Sequence, residues 1–240
     1  MSKLAERSQV FDNHFVGSLP CMPARREIMA GRKELLWRPW GGMEVFDPRM
    51  PRCIAGAGFN TAMVTDHYHY WEDFEGEEDY FTAKVFSGAM AWLDENANKG
   101  PFFLQVECFD VHEPFDVPEP YASMYTDGSK DDSNIWPPYQ VYEDLRRYMA
   151  QATDEELAFL RSQYMGKVTM MDTWLGKFMT RLDALSLWED TMVIFTTAMV
   201  TIPASVRRLA SSFHTTTATP TFRCWSGIRR IRAEALASRS

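Results

Sequence analysis

The sequence lacks the features that mark a membrane protein or a disulfide-rich secreted protein. It has no stretch of about 18 consecutive apolar residues, so we expect no membrane-spanning helix and no membrane partner. Residues 1–8 contain no apolar segment of the kind found in secretory signals, which favours a cytoplasmic location. The cysteines are few and far apart, without a C-x-x-C pair, which disfavours a zinc site or a disulfide framework: Cys21, Cys53, Cys108 and Cys224.

Basic residues are outnumbered by acidic ones over most of the chain, and the balance reverses near the end. Residues 1–197 carry 18 Lys and Arg against 32 Asp and Glu, whereas residues 198–240 carry seven Arg, no Lys and one acid. A charge break of this kind often marks a tail that binds nucleic acid with steep salt dependence. We do not favour nucleic acid as a partner, because the tail has another explanation, given below.

The order of strand-like and helix-like segments predicts an α/β domain. At 45% apolar residues, the chain can bury a substantial core. Strand patterns alternate with helical apolar spacing, which is typical of a largely parallel sheet covered by helices. The predicted strands are 11–17, 59–65, 101–109 and a buried strand at 192–195, and the predicted helices are 80–98 and 154–185.

Residues 21–32 form the most informative segment, a C-x-P-x-R pattern (Cys21, Pro23, Arg25) closed by Gly31 and Arg32. Proline suits the first turn of a helix, and glycine suits the position just after its end. Cys21 is therefore predicted at a helix N-terminus, where free N–H groups favour an anion. A lone cysteine is more often a buried core residue, but the surrounding pattern favours a functional one.

This segment resembles the signature of the sulfatase family of the alkaline phosphatase superfamily. The resemblance implies a three-layer α/β/α sandwich and a hydrolase of small-molecule sulfate esters. It also implies that a formylglycine-generating enzyme oxidises Cys21 to formylglycine, whose hydrate is the nucleophile and a ligand of a divalent metal (Ca, Mg or Mn). Arg25 would hold the hydrate and stabilise negative charge.

A second segment, at the predicted end of the strand 101–109, resembles the family's D-x-H-x-P pattern. Asp110, His112 and Pro114 match it. Histidine titrates near neutral pH, so His112 suits a general acid or base. The alternative for an isolated histidine is a structural role, but together with Cys21 we favour catalysis.

The segment 66–71 also follows a predicted strand and offers two candidate substrate-binding residues, Tyr68 and His69. Many sulfatases have a Lys-x-His pair here, and this chain has no lysine at that place. With its aromatic residues, the segment looks more like the phosphonate monoester hydrolase branch, which uses the same nucleophile. Phosphonate monoester or phosphodiester hydrolysis is therefore an alternative function, and an aromatic surface loop is the structural alternative.

A run of acids follows this segment, and we interpret it as a solvated face and not as a metal site. The residues are Glu75, Glu77, Glu78 and Asp79.

The resemblance covers about residues 3–197 and departs from the family pattern in two places. The family's first metal-binding carboxylates lie upstream of the segment with which this chain begins. After the strand ending near Thr197, the family continues with Asp-His-Gly, whereas this chain has Ala198, Met199 and Val200. We expect a catalytic domain over 1–197 that is incomplete and, apart from Cys21, short of metal ligands. Its activity should be impaired, and a non-catalytic anion-binding remnant is a further alternative.

The tail at 198–240 looks like another reading frame of a sulfatase gene. Loss of one base in an aspartate codon would convert Thr-Asp-His-Gly-His into Thr-Ala-Met-Val-Thr, which is the sequence at 197–201. We therefore predict a basic, poorly ordered tail that is not part of the family domain. A genuine basic tail is the alternative, and the nucleotide sequence distinguishes the two.

Overall fold

The fold is known from a computed structural model, which describes eight stretches of the chain. They are residues 1–14, 17–18, 21–33, 37–66, 76–112, 115–127, 152–197 and 222–227, with the backbone alone for 12–14 and 222–227. The described residues divide into two compact units. Unit 1 draws on 1–58, 179–197 and 222–227, and unit 2 on 59–178.

Unit 1 contains a three-stranded antiparallel sheet and three helices. The helices are α1 (Ser2–Glu6), α2 (Cys21–Ala30) and α3 (Met50–Gly56), and the strands are β1 (Gln9–His14), β4 (Val193–Phe195) and β5 (Phe222–Gly227). The strand order is β1-β5-β4, and β5 pairs antiparallel with both neighbours. The sequence pattern predicts β1 and β4 approximately, but it predicts neither α3 nor the pairing with 222–227.

The strand β4 is not buried as the sequence analysis predicted. Ile194, at its centre, is 61% exposed. The reason is its place in the sheet, because among the described strands β4 lies at an edge and pairs with β5 alone. The apolar run Met-Val-Ile-Phe correctly predicts a strand, but the prediction that this strand is buried is wrong.

Unit 2 contains the parallel pairing that the sequence predicted. Strands β2 (Asn60–Thr65) and β3 (Phe102–Glu107) pair in parallel, from Asn60 opposite Phe102 to Thr65 opposite Glu107. The helix α4 (Phe81–Asn96) buries a face of small and branched residues, with Ala83 and Ala89 fully buried. Because parallel strands end at the same edge of a sheet, the residues that follow β2 and β3 come close together.

The long helix α5 (Asp154–Ala184) begins with a capping box. The backbone N–H of Glu156 donates to the Thr153 hydroxyl at 3.2 Å, and the Glu156 carboxylate accepts from the Thr153 N–H at 2.6 Å. This reciprocal pair satisfies two N–H groups that the first turn leaves open. A buried cluster of Phe115, Ala152, Leu157 and Leu160 packs beside this start.

Among the described residues, none of the helices is both long enough and apolar enough to cross a membrane.

Candidate active site

The Cys21 segment folds as the motif predicts. Cys21 is the first residue of α2, and Pro23 lies in its first turn, where no N–H is needed. Gly31 follows the last helical residue with φ of 68°, and its N–H donates to the Glu27 carbonyl at 2.8 Å. That left-handed conformation is the usual end of a helix and is open to glycine at little cost. Cys21 is thus held at a helix N-terminus, half-buried.

Arg25 lies one turn after Cys21, on the same side of α2. Its Nη1 is 3.8 Å from the sulfur of Met22, so the guanidinium lies along the first turn of the helix. A helix N-terminus, with a positive group on the first turn, favours a negatively charged ligand there. The predicted pair of Cys21 and Arg25 is therefore brought together on one helix.

The opposite side of α2 is anchored in the protein. Pro23, Ala24 and Arg26 are buried, with Arg26 only 3% exposed. The Ser18 hydroxyl donates to the Glu27 carboxylate, and Gly17 lies so close to that carboxylate that a side chain at position 17 would require Glu27 to move. These contacts tie the residues before Cys21 to the helix and fix the direction of its N-terminus.

A loop at residues 37–47 packs against α2 through Arg26, a residue that the sequence analysis did not single out. The Arg26 guanidinium donates to the carbonyls of Pro39 at 3.3 Å and Gly41 at 3.0 Å. Asp47 closes the loop: it accepts from the Glu44 N–H at 2.7 Å and from Arg38. The Glu44 N–H, and then the hydrogen bond from Arg38, hold the pKa of this buried carboxyl below its ordinary value.

His112 follows β3 in unit 2 and is 6% exposed. Its ring stacks on Phe109, with 4.1 Å between centroids and 17° between planes. Asp66, which follows β2, accepts the Phe109 N–H with both carboxylate oxygens, at 2.8 and 3.0 Å. The ends of the two parallel strands are thus joined, and this join positions the segment that carries His112.

A buried ion pair lies beside His112, and the sequence analysis missed its cationic member. Lys167 Nζ is 2.6 Å from Asp110 Oδ1, and the two side chains are 8% and 4% exposed. Lys167 also donates to the His112 carbonyl at 3.5 Å, and the Thr82 hydroxyl donates to the other oxygen of Asp110. Lys167 lies on a face of α5 whose other residues are buried, and a lysine at such a position in a predicted helix is the signal that could have identified it.

Cys108 lies at the same edge and is partly buried. Burial raises its pKa, and the neighbouring carboxylates of Asp110 and Asp66 raise it further. Its sulfur is 3.5 Å from the Thr82 hydroxyl. Because the thiolate is the nucleophilic form, these surroundings disfavour reaction at Cys108 near neutral pH.

The acidic run is not simply a solvated face, because Glu77 is a hub of hydrogen bonds. Its Oε1 accepts from Trp174 Nε1 at 2.8 Å and from the Tyr121 hydroxyl at 3.2 Å. Lys177 Nζ lies 3.8 Å from the same oxygen. The interpretation as a solvated face was therefore wrong for Glu77. The sequence did not indicate these contacts, because the partners of Glu77 lie 44 or more positions away.

The remaining predicted site residues are not all described. Tyr68 and His69 lie outside the described residues. Cys21 and Arg25 belong to unit 1, and His112 belongs to unit 2. Within the described part of the chain, no group of three or more His, Cys, Asp or Glu side chains could hold a metal ion.

The family is established by the sequence itself: the chain belongs to the Sulfatase family, whose model matches residues 1–197. The resemblance stated from the Cys21 and His112 segments is confirmed. A curated relative, the multifunctional alkaline phosphatase superfamily protein PehA of Trinickia caryophylli, is 27% identical over 140 residues, which is 50% of this chain and 26% of the relative.

Solved structures show the same α/β fold. The phosphonate monoester hydrolase of Silicibacter pomeroyi aligns with a TM-score of 0.70 at 16% identity, over 94% of this chain and 62% of that one. The enzyme of the same name from Agrobacterium radiobacter aligns with a TM-score of 0.67 at 15% identity, with the same coverage. A structure in complex with its substrate D-glucosamine-2-N,6-O-disulfate aligns with a TM-score of 0.56 at 14% identity, over 82% of this chain and 59% of that one.

The predicted fold class, α/β with a parallel sheet in the manner of the alkaline phosphatase superfamily, is confirmed by this likeness. The chain spans about a quarter of the curated relative and about three fifths of the solved relatives.

Proposed function

We propose that this chain carries the chemistry of a sulfate ester hydrolase in which formylglycine at position 21 is the nucleophile. The observation that supports this most is the place of Cys21. It begins α2, is followed by Pro23 and Arg25, and lies in a chain of the Sulfatase family. The free N–H groups of the first turn suit the anionic group of such an ester.

The proposed reaction has two steps. One hydroxyl of the aldehyde hydrate at position 21 attacks sulfur, the S–O bond to the alcohol breaks, and the alcohol leaves with a proton. The second hydroxyl of the hydrate then loses its proton, the C–O bond to sulfate breaks, and sulfate leaves as the aldehyde re-forms. Covalent catalysis of this kind divides one difficult step into two easier ones.

Each candidate residue has a role in this scheme. Arg25, on the same face of α2, stabilises negative charge on the ester oxygens. His112 transfers protons to or from the leaving group. Tyr68 and His69 contribute to substrate binding, on the basis of the sequence.

The metal that the family implies does not fit the described residues. They contain no cluster of three or more ligands, and residues 198–200 read Ala-Met-Val where the family has Asp-His-Gly. The proposed steps therefore use no metal ion, although Ca, Mg or Mn is expected for an intact relative. Because of these missing ligands, we also propose that the hydrolytic activity of this chain is impaired.

Phosphonate monoester or phosphodiester hydrolysis with the same nucleophile is the second candidate. It is supported by the fold likeness to two phosphonate monoester hydrolases, with TM-scores of 0.67 and 0.70. The absence of lysine from 66–71 also favours it. A non-catalytic anion-binding protein remains the third.

The test is hydrolysis by the full chain produced together with a formylglycine-generating enzyme. We expect slow release of 4-nitrophenol from 4-nitrophenyl sulfate, or from 4-nitrophenyl phenylphosphonate, and its loss in the variant Cys21→Ala. The faster ester decides between the two enzymatic candidates. Hydrolysis that survives Cys21→Ala would contradict the proposed nucleophile, and turnover at ordinary enzyme rates would contradict the proposed impairment.

A further inference from the structure

Unit 1 contains a solvent-open cavity of about 320 Å³ that is lined by the loop 37–47 and by Arg26 of α2. This size lies within the range of small-molecule sites. The lining includes two arginines, one carboxylate, two aromatic rings and a glycine: Arg26, Arg38, Glu44, Trp40, Phe46 and Gly42.

The walls of the cavity are held in place by partly buried polar contacts. The Arg26 guanidinium donates hydrogen bonds to the carbonyls of Pro39 and Gly41. The Asp47 carboxylate accepts hydrogen bonds from Arg38 and from the Glu44 N–H. A ligand therefore meets a preformed site and does not need to order the loop, which lowers the cost of binding.

The two aromatic side chains at the cavity are largely exposed, although hydrogen bonds hold the loop that carries them. Trp40 is 65% exposed and Phe46 is 80% exposed. The Arg38 guanidinium lies 5.7 Å from the centre of the Phe46 ring, so one side of that ring already has a cationic neighbour. Exposed apolar surface that rims a cavity is typical of a ligand site.

The side chain of Met22 links the cavity to the candidate anion site, because it lies beside Arg25 and beside Gly42, which lines the cavity. Arg25 Nη1 is 3.8 Å from the Met22 sulfur. The neighbouring Cε of Met22 is 3.4 Å from the position that a Cβ on Gly42 would occupy. A group attached to an anion beside Arg25 would reach the cavity by passing over Met22.

We propose that this cavity binds the aromatic ring of an aryl ester's leaving group, with Trp40 and Phe46 contacting the ring. The proposal rests on the proposed function, which places the anionic group at Cys21 and Arg25. A flat ring suits the lining better than a sugar, because Arg26 and Arg38 are engaged with the loop. Glu44 is then the one carboxylate among the lining residues that is available to accept hydrogen bonds from the hydroxyl groups of a sugar.

The test measures binding to the full chain carrying Cys21→Ala, so that no ester is consumed. NMR titrations give the affinities of phenyl sulfate, methyl sulfate, glucose 6-sulfate and phenol. The pocket variants are Trp40→Ala and Phe46→Ala. Their matched controls are Trp37→Ala and Val45→Ala, neighbouring residues that are 67% and 89% exposed and do not line the cavity.

We expect phenyl sulfate to bind about tenfold more tightly than methyl sulfate, since ring contacts and apolar burial add to the anion's affinity. Each pocket variant should weaken the binding of phenyl sulfate and of phenol about 3- to 10-fold, and it should change the affinity for methyl sulfate by less than about twofold. The control variants should change none of them by more than about twofold.

The outcomes separate the two proposals. If phenyl and methyl sulfate bind equally, or if the controls weaken phenol as much as the pocket variants do, the cavity is not the ring site while the anion site stands. If phenol binding depends on Trp40 but neither sulfate binds, the proposed function fails at its anion site. Tighter binding of glucose 6-sulfate than of phenyl sulfate would overturn the choice of an aromatic ring.

Discussion

Single residues at the strand ends of unit 2 show how much of the site depends on buried charge. Lys167 and Asp110 are both nearly inaccessible and 2.6 Å apart. Breaking such a pair leaves an uncompensated buried charge, which costs far more than the pair contributes when intact. The segment that carries His112 therefore depends on a lysine 55 positions further along the chain.

The ion pair gives a stability prediction. Replacing Lys167 by Met should lower the free energy of unfolding by roughly 3–5 kcal/mol, because Asp110 keeps its charge in a buried place. Urea denaturation followed by circular dichroism measures this. The exposed Lys99→Met variant is the control and should change stability by less than about 0.5 kcal/mol. Equal stability of the two variants would show that the pair is not buried in solution.

The surroundings of Cys108 give a reactivity prediction. Since burial and neighbouring carboxylates raise its thiol pKa, the thiolate fraction at pH 8 is smaller than for an ordinary cysteine. Iodoacetamide should label the exposed Cys53 first and Cys108 last among the three cysteines with described side chains. Peptide mass spectrometry over a time course gives the order, and early labelling of Cys108 in the folded protein would refute it.

At the scale of helices and loops, the long helix α5 shows that its two glycines have different roles. Gly166 is buried, and a Cβ there would lie 2.5 Å from the Tyr121 carbonyl oxygen. Gly176 is exposed, and a Cβ there would meet no atom within 4 Å. The first glycine allows the chain at Tyr121 to pack against α5, and the second only weakens the helix.

Alanine substitutions test this difference within one helix. Gly166→Ala should destabilise the protein by roughly 1–3 kcal/mol, since the backbone must move away from the added methyl group. Gly176→Ala should stabilise it by up to about 1 kcal/mol, because alanine is the better helix former. Thermal unfolding of both variants measures the two effects, and a shift of the same sign in both would contradict the packing described here.

The loop 37–47 gives a prediction about pH. Asp47 has a lowered pKa in the folded state, so it contributes stability above its ordinary pKa of about 3.9 and loses that contribution as pH falls below it. Wild type should be more stable than Asp47→Asn at pH 7, and the difference should shrink below about pH 4. Urea midpoints measured between pH 7 and pH 3.5 decide this, and a difference independent of pH would contradict it.

Sequence reasoning predicted the elements of the fold where the signal was local. The helical spacing over 80–98 and 154–185 located α4 and α5, and the Pro23 and Gly31 positions located both ends of α2. It could not predict contacts between distant positions, such as the strand 222–227 between β1 and β4. The ion pair of Lys167 and the hydrogen bonds of Glu77 were not predicted for the same reason, because their partners are far away in the sequence.

At the scale of the whole molecule, the chain is a member of the Sulfatase family whose match ends at residue 197. The fold places the candidate nucleophile and its arginine on one helix in unit 1 and the candidate histidine in unit 2. The division into a family domain at 1–197 and a tail at 198–240 stays a prediction, although residues 222–227 form a strand. The gene's nucleotide sequence decides it, because one base inserted near codon 198 should restore Asp-His-Gly and an open frame.

The central claim, that Cys21 is the precursor of a formylglycine nucleophile, is tested most directly by mass spectrometry of the peptide that contains it. The chain is produced with and without a formylglycine-generating enzyme and digested. The account predicts a mass about 18 Da lower for the Cys21 peptide after coproduction, as expected for conversion of a thiol to an aldehyde, with Cys53 and Cys108 unchanged. A Cys21 peptide that keeps its thiol mass in the presence of an active generating enzyme would contradict the account.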